Sequence, residues 1–191
     1  MVTKESLHAA LQDVVDSRRN IYSSAYAFHW RWADDNTFAS EDEKRFRELV
    51  ELMNVPAPET YIIPETPKYS KIPGFDVQEK IADILARAAH DPGNSVIILH
   101  YSGHGRESLL GRLELCSLSG KVIAVDHLLR DVLEERVISF NEQVDVVVIL
   151  DCCYAFLASR TGNPNHRRVD ILSASEERNP TALGAKGTNS F

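Results

Sequence analysis

Two kinds of side chain here could do covalent chemistry together. One is the pair of adjacent thiols, Cys152 and Cys153. The other is the imidazole of His104, bracketed by Gly103 and Gly105. A thiol becomes a nucleophile when a base takes its proton or a cation lowers its pKa. Histidine is the usual base, because it titrates near neutral pH. Each group stands just past an apolar run: Ser95–Tyr101 leads into Ser102–Gly105, and Val146–Leu150 leads into Asp151-Cys152-Cys153. Such runs read as strands buried on both faces of a parallel sheet. Chemistry in open α/β sheets collects beyond the carboxyl ends of the strands. If the two strands are central neighbours, His104 and Cys153 hang over the same edge. The glycines let the backbone turn sharply and let a substrate come close. The N–H groups of Gly105 and Cys153 would then face the gap as an oxyanion hole for an acyl intermediate.

The elements that must position these groups can be read in order. Residues 3–18 carry Leu7, Leu11, Val14 and Val15 at helical spacing, as an amphipathic helix or packing arm. Ile21–Trp32 fits a first strand, followed by a polar loop at Ala33–Asn36. Ser40–Met53 is a helix with an acidic first turn and an apolar stripe of Phe46, Leu49, Val50 and Met53. Thr60–Pro64 is a short strand, and Pro64, Pro67 and Pro73 make an irregular crossing. Phe75–His90 is a second helix, with Val77, Ile81, Ile84, Leu85 and Ala88 on one side. Leu109–Val125 reads as a hairpin on the rim of the sheet. Asp126–Glu135 is a third helix capped by Asp126. After the cysteines come a basic loop (157–168), a short strand at Val169–Ser173 and a Gly-rich tail. Strands alternating with helices imply an α/β fold, a mostly parallel central sheet with helices on both faces.

The 191 residues suit one domain, and an apolar share of 43% supplies its core. A net charge of -7 without a long basic run argues against a nucleic-acid partner. Three cysteines make no disulfide framework and suit a reducing compartment. The amino terminus has no signal-peptide core, and no apolar run approaches the ~20 residues of a membrane span. The expectation is a cytoplasmic protein with no membrane partner. The chain ends at Phe191 in an open loop, which reads as a piece of a longer protein with further domains. A sheet edge exposed by truncation invites self-association.

Tyr101-Ser102-Gly103-His104-Gly105, followed after about fifty residues by Asp151-Cys152-Cys153, resembles the caspase-like cysteine peptidases. The metacaspase branch is most similar. Its histidine motif, Tyr-Ser-Gly-His-Gly, is matched without change at 101–105. Its cysteine motif, Asp-Ser-Cys-His-Ser-Gly, puts the nucleophile at Cys153 and Cys152 in the serine slot. The likeness extends over roughly 20–191 in element order. The ending resembles the small-subunit start of fungal caspase-like domains in larger signalling proteins. The resemblance implies a three-layer αβα sandwich with its carboxyl-terminal elements truncated. It divides the chain into an arm (1–18) and a catalytic domain (19–191). Within that domain, the large-subunit part runs to about 156, the linker over 157–168 and a partial small-subunit part over 169–191. It further implies a cysteine endopeptidase acting on polypeptides in cell death or stress signalling.

Two departures from the family pattern stand out. Tyr154, Ala155 and Phe156 replace the small polar residues after the nucleophile, and the loop after the first strand lacks the usual Gly-Cys-Asn-Asp. They leave open a second class, a weakly active or inactive caspase-fold scaffold or interaction module.

By the same resemblance, Asp151 lines the S1 pocket and pairs with a P1 Arg or Lys, for which a carboxylate is the natural partner. A second acid would come from Asp34, Asp35 or Asp42. Arg31 keeps an Asp-specific pocket as an alternative. Arg160, Arg167 and Arg168 lie in the linker, where relatives are cut, and self-cleavage after one of them is an expectation of the same kind. No cofactor is expected. His100, His104 and Cys116 lack the spacing of a zinc site. Calcium activation occurs in metacaspases, but no loop specifies it here.

Overall fold

A computed structural model describes residues 22–65, 72–129, 144–160 and 168–175. The arm at 1–18, the third helix beyond Leu129, linker residues 161–167 and the tail beyond 175 lie outside the described residues. Five parallel strands form the main sheet: β1 (Tyr22–Trp32), β2 (Glu59–Ile63), β3 (Asn94–Ser102), β7 (Val144–Asp151) and β8 (Val169–Ser173), in the order β2-β1-β3-β7-β8. The two apolar runs are neighbours, as expected. They pair from Ser95↔Val144 to Ser102↔Asp151.

Two helices cover opposite faces of this sheet. α1 (Ala39–Leu52) sets Phe46 and Val50 against Ala27 and Ile98. α2 (Pro73–His90) starts with a proline, which suits the first turn of a helix because the missing N–H has no partner there. Its stripe of Val77, Ile81, Ile84, Leu85 and Ala88 is buried with Phe28, Trp30, Ile97, Leu99 and Tyr101. These residues alternate along β1 and β3 with those under α1, so the period of two in the strands assigns one face to each helix. The result is the expected three layers.

β3 is buried on both faces, but β7 is not. Val144, Val146, Val148 and Leu150 are buried, while Val147 and Ile149 are partly covered. The reason is reach, because α1 packs over β1 and β3 and stops short of full cover for β7.

Two further expectations need correction. The hairpin is not on the rim of the main sheet. Its strands β5 (Leu113–Cys116) and β6 (Val122–Ala124) join β4 (His104–Glu107) in a separate antiparallel sheet. His104 therefore opens a strand rather than sitting in a loop. Gly103, at φ 139°, redirects the chain from β3 into β4, a conformation that side chains other than glycine rarely adopt. The third helix, α3 (Val125–Leu128), begins at Val125. Asp126 does not cap it; the residue lies in the first turn and pairs with Arg112 at 3.0 Å.

Under α1, two histidines face each other from registered positions, His29↔His100. Their Nδ1 atoms are 2.9 Å apart, so one ring must donate to the other. Phe46 lies over His100 at 4.5 Å. Burial holds His29 neutral, pushing its pKa down to about 4, partly opposed by Glu43. Burial and the charge of His29 push His100 down to about 3. In the unfolded chain both titrate near 6.5. The unfolded state thus binds protons first as pH falls below about 6.5, and stability is lost between there and about pH 4. Each group contributes ~1.4 kcal/mol per pH unit within that window. Asp151, whose pKa is raised to about 6, offsets part of one group's loss. Urea midpoints are expected to fall from pH 7 to pH 5, and His100→Phe should flatten the fall. An equal midpoint at both pH values would sink this reading.

Candidate active site

The last registered pair of the two central strands is Ser102↔Asp151. His104 and Cys153 each lie two residues beyond it, so both strands deliver them to one edge. The junction is tied by the Gly103 N–H, which donates to the Asp151 carbonyl at 3.3 Å. Gly105 then runs against the cysteine segment. A Cβ on it would lie 2.3 Å from the Cys153 carbonyl oxygen and 2.9 Å from the Cys152 sulfur. Here glycine is required by close approach rather than by φ. From below, the buried Tyr101 hydroxyl donates to the His104 carbonyl at 2.9 Å. The unchanged 101–105 motif thus has a physical content: a tyrosine that props the histidine, a Gly103 that turns the chain, and a Gly105 without which β4 and the cysteine segment would collide.

The three thiols differ in kind. Cys152 is 1% exposed and belongs to the core. Burial raises its pKa well above the ordinary thiol value, helped by the charge of Asp151. A thiol held protonated in the core is inert. Cys153 is half-buried, at the edge itself. Cys116, which the sequence left without a place, stands opposite His104 in the β4–β5 pairing. Opposed residues of an antiparallel pair share a face, so Cys116 and His104 lie on the same face of that sheet. Burial pushes its pKa up to about 11.

Beyond Cys153 the backbone is strained. Tyr154 has φ 59°, in the left-handed region. For a bulky residue this costs on the order of 1 kcal/mol or more, and such strain tends to collect at functional sites. Ala155 opens a 3₁₀ helix (Ala155–Arg160), and the rings of Tyr154 and Phe156 lie 6.4 Å apart against the core. The sequence departure at 154–156 is therefore an aromatic pair packed beneath the thiol edge.

The loop after β1 closes the site. His104 Nε2 is 2.7 Å from Asn36 Oδ1, a partner 68 positions away. Asp35 Oδ1 accepts from the N–H and hydroxyl of Thr37, at 2.8 and 2.7 Å. Asp34 Oδ2 accepts from the Ser119 N–H at 3.0 Å, tying this loop to the β5–β6 turn. Sequence reading offered Asp34 and Asp35 as specificity acids; here Asp34 Oδ2 and Asp35 Oδ1 hold the loop, while Asp34 Oδ1 and Asp35 Oδ2 are buried without a hydrogen-bond partner among the described residues. It missed Asn36. The polar loop itself was the available signal, and its partner could not be found without the fold.

Asp151 keeps a different acid for company. Burial raises its pKa to about 6, with the charge of Asp42 adding to the shift and Arg45 opposing it. Asp42 is itself raised by burial and pairs with Arg45 at 3.2 Å. Of the three acids left open, Asp42 is the one whose charge Asp151 feels most. Arg31, the residue an acid-specific pocket would use, points to Glu43 with Nε at 3.2 Å. His100 pairs with His29 while His104 is held by Asn36, so the two do not converge on one ligand. Among the described residues, no group of three or more His, Cys, Asp or Glu could hold a metal ion.

The family model described as Caspase domain matches residues 39–186. A comparison with curated proteins returns no match.

Proposed function

The chain belongs to the caspase-domain family of cysteine peptidases, and from that premise we propose an endopeptidase of metacaspase type that cuts after arginine or lysine. In this reading Cys153 is the nucleophile and His104 the acid–base group. His104 takes the thiol proton as sulfur attacks the scissile carbonyl. The oxyanion that forms accepts hydrogen bonds from the N–H groups of Gly105 and Cys153. His104 then protonates the leaving amine. Water, deprotonated by the same ring, releases the acyl group from sulfur.

The observation that carries the mechanism is the shared edge. The matched register puts His104 and Cys153 equally far past Ser102↔Asp151, and Gly105 lies against the Cys153 carbonyl. Among the thiols, only Cys153 combines this edge with partial exposure, whereas burial raises the pKa of both Cys152 and Cys116. The basic P1 preference rests on Asp151 and Asp42, two acids that repel each other until a cation lies between them. Arg31, engaged with Glu43, speaks against the acidic alternative.

The strained aromatic segment at Tyr154–Phe156 favours one second reading, a caspase fold that binds polypeptides without cutting them. Covalent capture separates the two. A peptidyl acyloxymethyl ketone ending in arginine is expected to label the protein at least tenfold faster than one ending in aspartate. Labelling by neither, with or without calcium, would favour the binding module. Faster labelling by the aspartyl reagent would reverse the specificity.

A further inference from the structure

We propose that Asn36 is a positioning residue for His104. It fixes the tautomer and plane of the imidazole so that Nδ1 is the atom that serves Cys153. The assignment rests on the peptidase reading for its catalytic meaning, but the contact stands on geometry alone.

Asn36 Oδ1 lies 2.7 Å from His104 Nε2. An amide oxygen only accepts, so Nε2 must carry the hydrogen. A neutral imidazole has one N–H, which leaves the lone pair on Nδ1. A general base needs that lone pair on the nitrogen that meets the thiol, and the other nitrogen's partner decides this. When the ring becomes imidazolium, the same amide oxygen accepts from a more acidic N–H. The contact therefore strengthens in the step where charge develops.

The bond faces solvent, where a mobile asparagine would lose to water. Both of its ends are fixed instead. On one side, Tyr101 holds the His104 carbonyl and β4 is paired with β5, His104 opposite Cys116. On the other, Asn36 directly follows two anchored acids, Asp34 and Asp35. Asp35 accepts twice from Thr37, and Asp34 reaches across to Ser119 on the β5–β6 turn. That loop departs from the family's usual sequence, and one oxygen of each of its two aspartates ties down the backbone next to Asn36. The orienting group is thus supplied by the loop that follows β1, a strand separated from the nucleophile strand β7 by β3.

The test compares the wild type with Asn36→Ala and Asn36→Asp. Nitrogen-15 NMR of His104 at neutral pH is expected to show the Nε2–H tautomer in the wild type and a mixture in Asn36→Ala. Capture by the arginyl ketone should slow about tenfold to a hundredfold in Asn36→Ala, the scale of a misplaced catalytic group, with the unfolding midpoint unchanged. A carboxylate at 36 still accepts from Nε2–H and favours imidazolium. Asn36→Asp should therefore recover most of the rate and move the pH–rate profile to higher pH. A purely structural asparagine would produce neither the tautomer change nor that displacement. An Nδ1–H tautomer in the wild type, or an Asn36→Ala protein with unchanged tautomer and rate, overturns the assignment. A wild type that shows the tautomer, loses it in Asn36→Ala and captures nothing upholds the contact and sinks the peptidase reading instead.

Discussion

Gly105→Ala is expected to lower the rate of covalent capture at least a hundredfold. The new methyl would have to occupy a point 2.3 Å from the Cys153 carbonyl oxygen and 2.9 Å from the Cys152 sulfur. A flexible side chain could swing away, but the first obstacle is backbone and the second belongs to a buried residue. Either β4 or the cysteine turn must move. β4 begins with His104, so movement there carries the base away from the thiol. Displacements of about 1 Å between catalytic groups cost about a hundredfold in rate. The Gly105 N–H, proposed to hold the oxyanion, moves with it. Overpacking of this kind also destabilises by ~1–3 kcal/mol, so the unfolding midpoint should fall. Gly74→Ala supplies the control. Its methyl would meet only the Ile123 side chain, at 3.3 Å, and should leave capture unchanged. A Gly105→Ala protein labelled within twofold of wild type would show that the two segments do not meet in solution.

Asp151→Asn should cost about a hundredfold in kcat/KM on arginyl peptides, equivalent to ~2.7 kcal/mol of transition-state binding. The exchange keeps size and removes charge, so the loss reports the carboxylate rather than packing. Its pH dependence gives a sharper signature. Burial first, and then the charge of Asp42, raise Asp151 to a pKa of about 6. In the proposed reading, above that pH the carboxylate is charged and would draw a P1 guanidinium. As pH falls through about 6 it takes up a proton, and KM for arginyl peptides should rise. The rise should vanish in Asp151→Asn. Asp42→Asn removes the like charge, so the rise should begin at lower pH. If Asp151→Asn cleaves arginyl peptides at close to the wild-type rate, the cation is read elsewhere.

How much of this was legible in the sequence follows from the range of each interaction. The stripe on α2 was read residue by residue, because helical periodicity is local. The pairing of β3 with β7 was legible because two long apolar runs have few places to be except the sheet centre. The thiol choice rested on a resemblance to a family motif, and burial of Cys152 gives it a physical basis. β4 was missed because His104-Gly105-Arg106-Glu107 shows no alternation of apolar and polar residues. Its strand character comes from pairing with β5. The His29–His100 pair was hidden for a similar reason. Each histidine looked like one residue of an aromatic or apolar strand, and only register brought them to 2.9 Å. Asp34, Asp35 and Asp42 could not be told apart, since local composition does not say which carboxylate a turn will consume. One oxygen of Asp35 went to Thr37 within the loop, and one of Asp34 to Ser119 on the β5–β6 turn.

The most direct measurement is the identity of the labelled atom. The protein would be incubated with the arginyl acyloxymethyl ketone, digested, and the adduct located by tandem mass spectrometry. One adduct on Cys153 is predicted, lost in Cys153→Ala, slowed in His104→Ala, and retained in Cys152→Ala. An adduct on Cys152 or Cys116, or labelling that persists in Cys153→Ala, would contradict the assignment of Cys153 as the nucleophile.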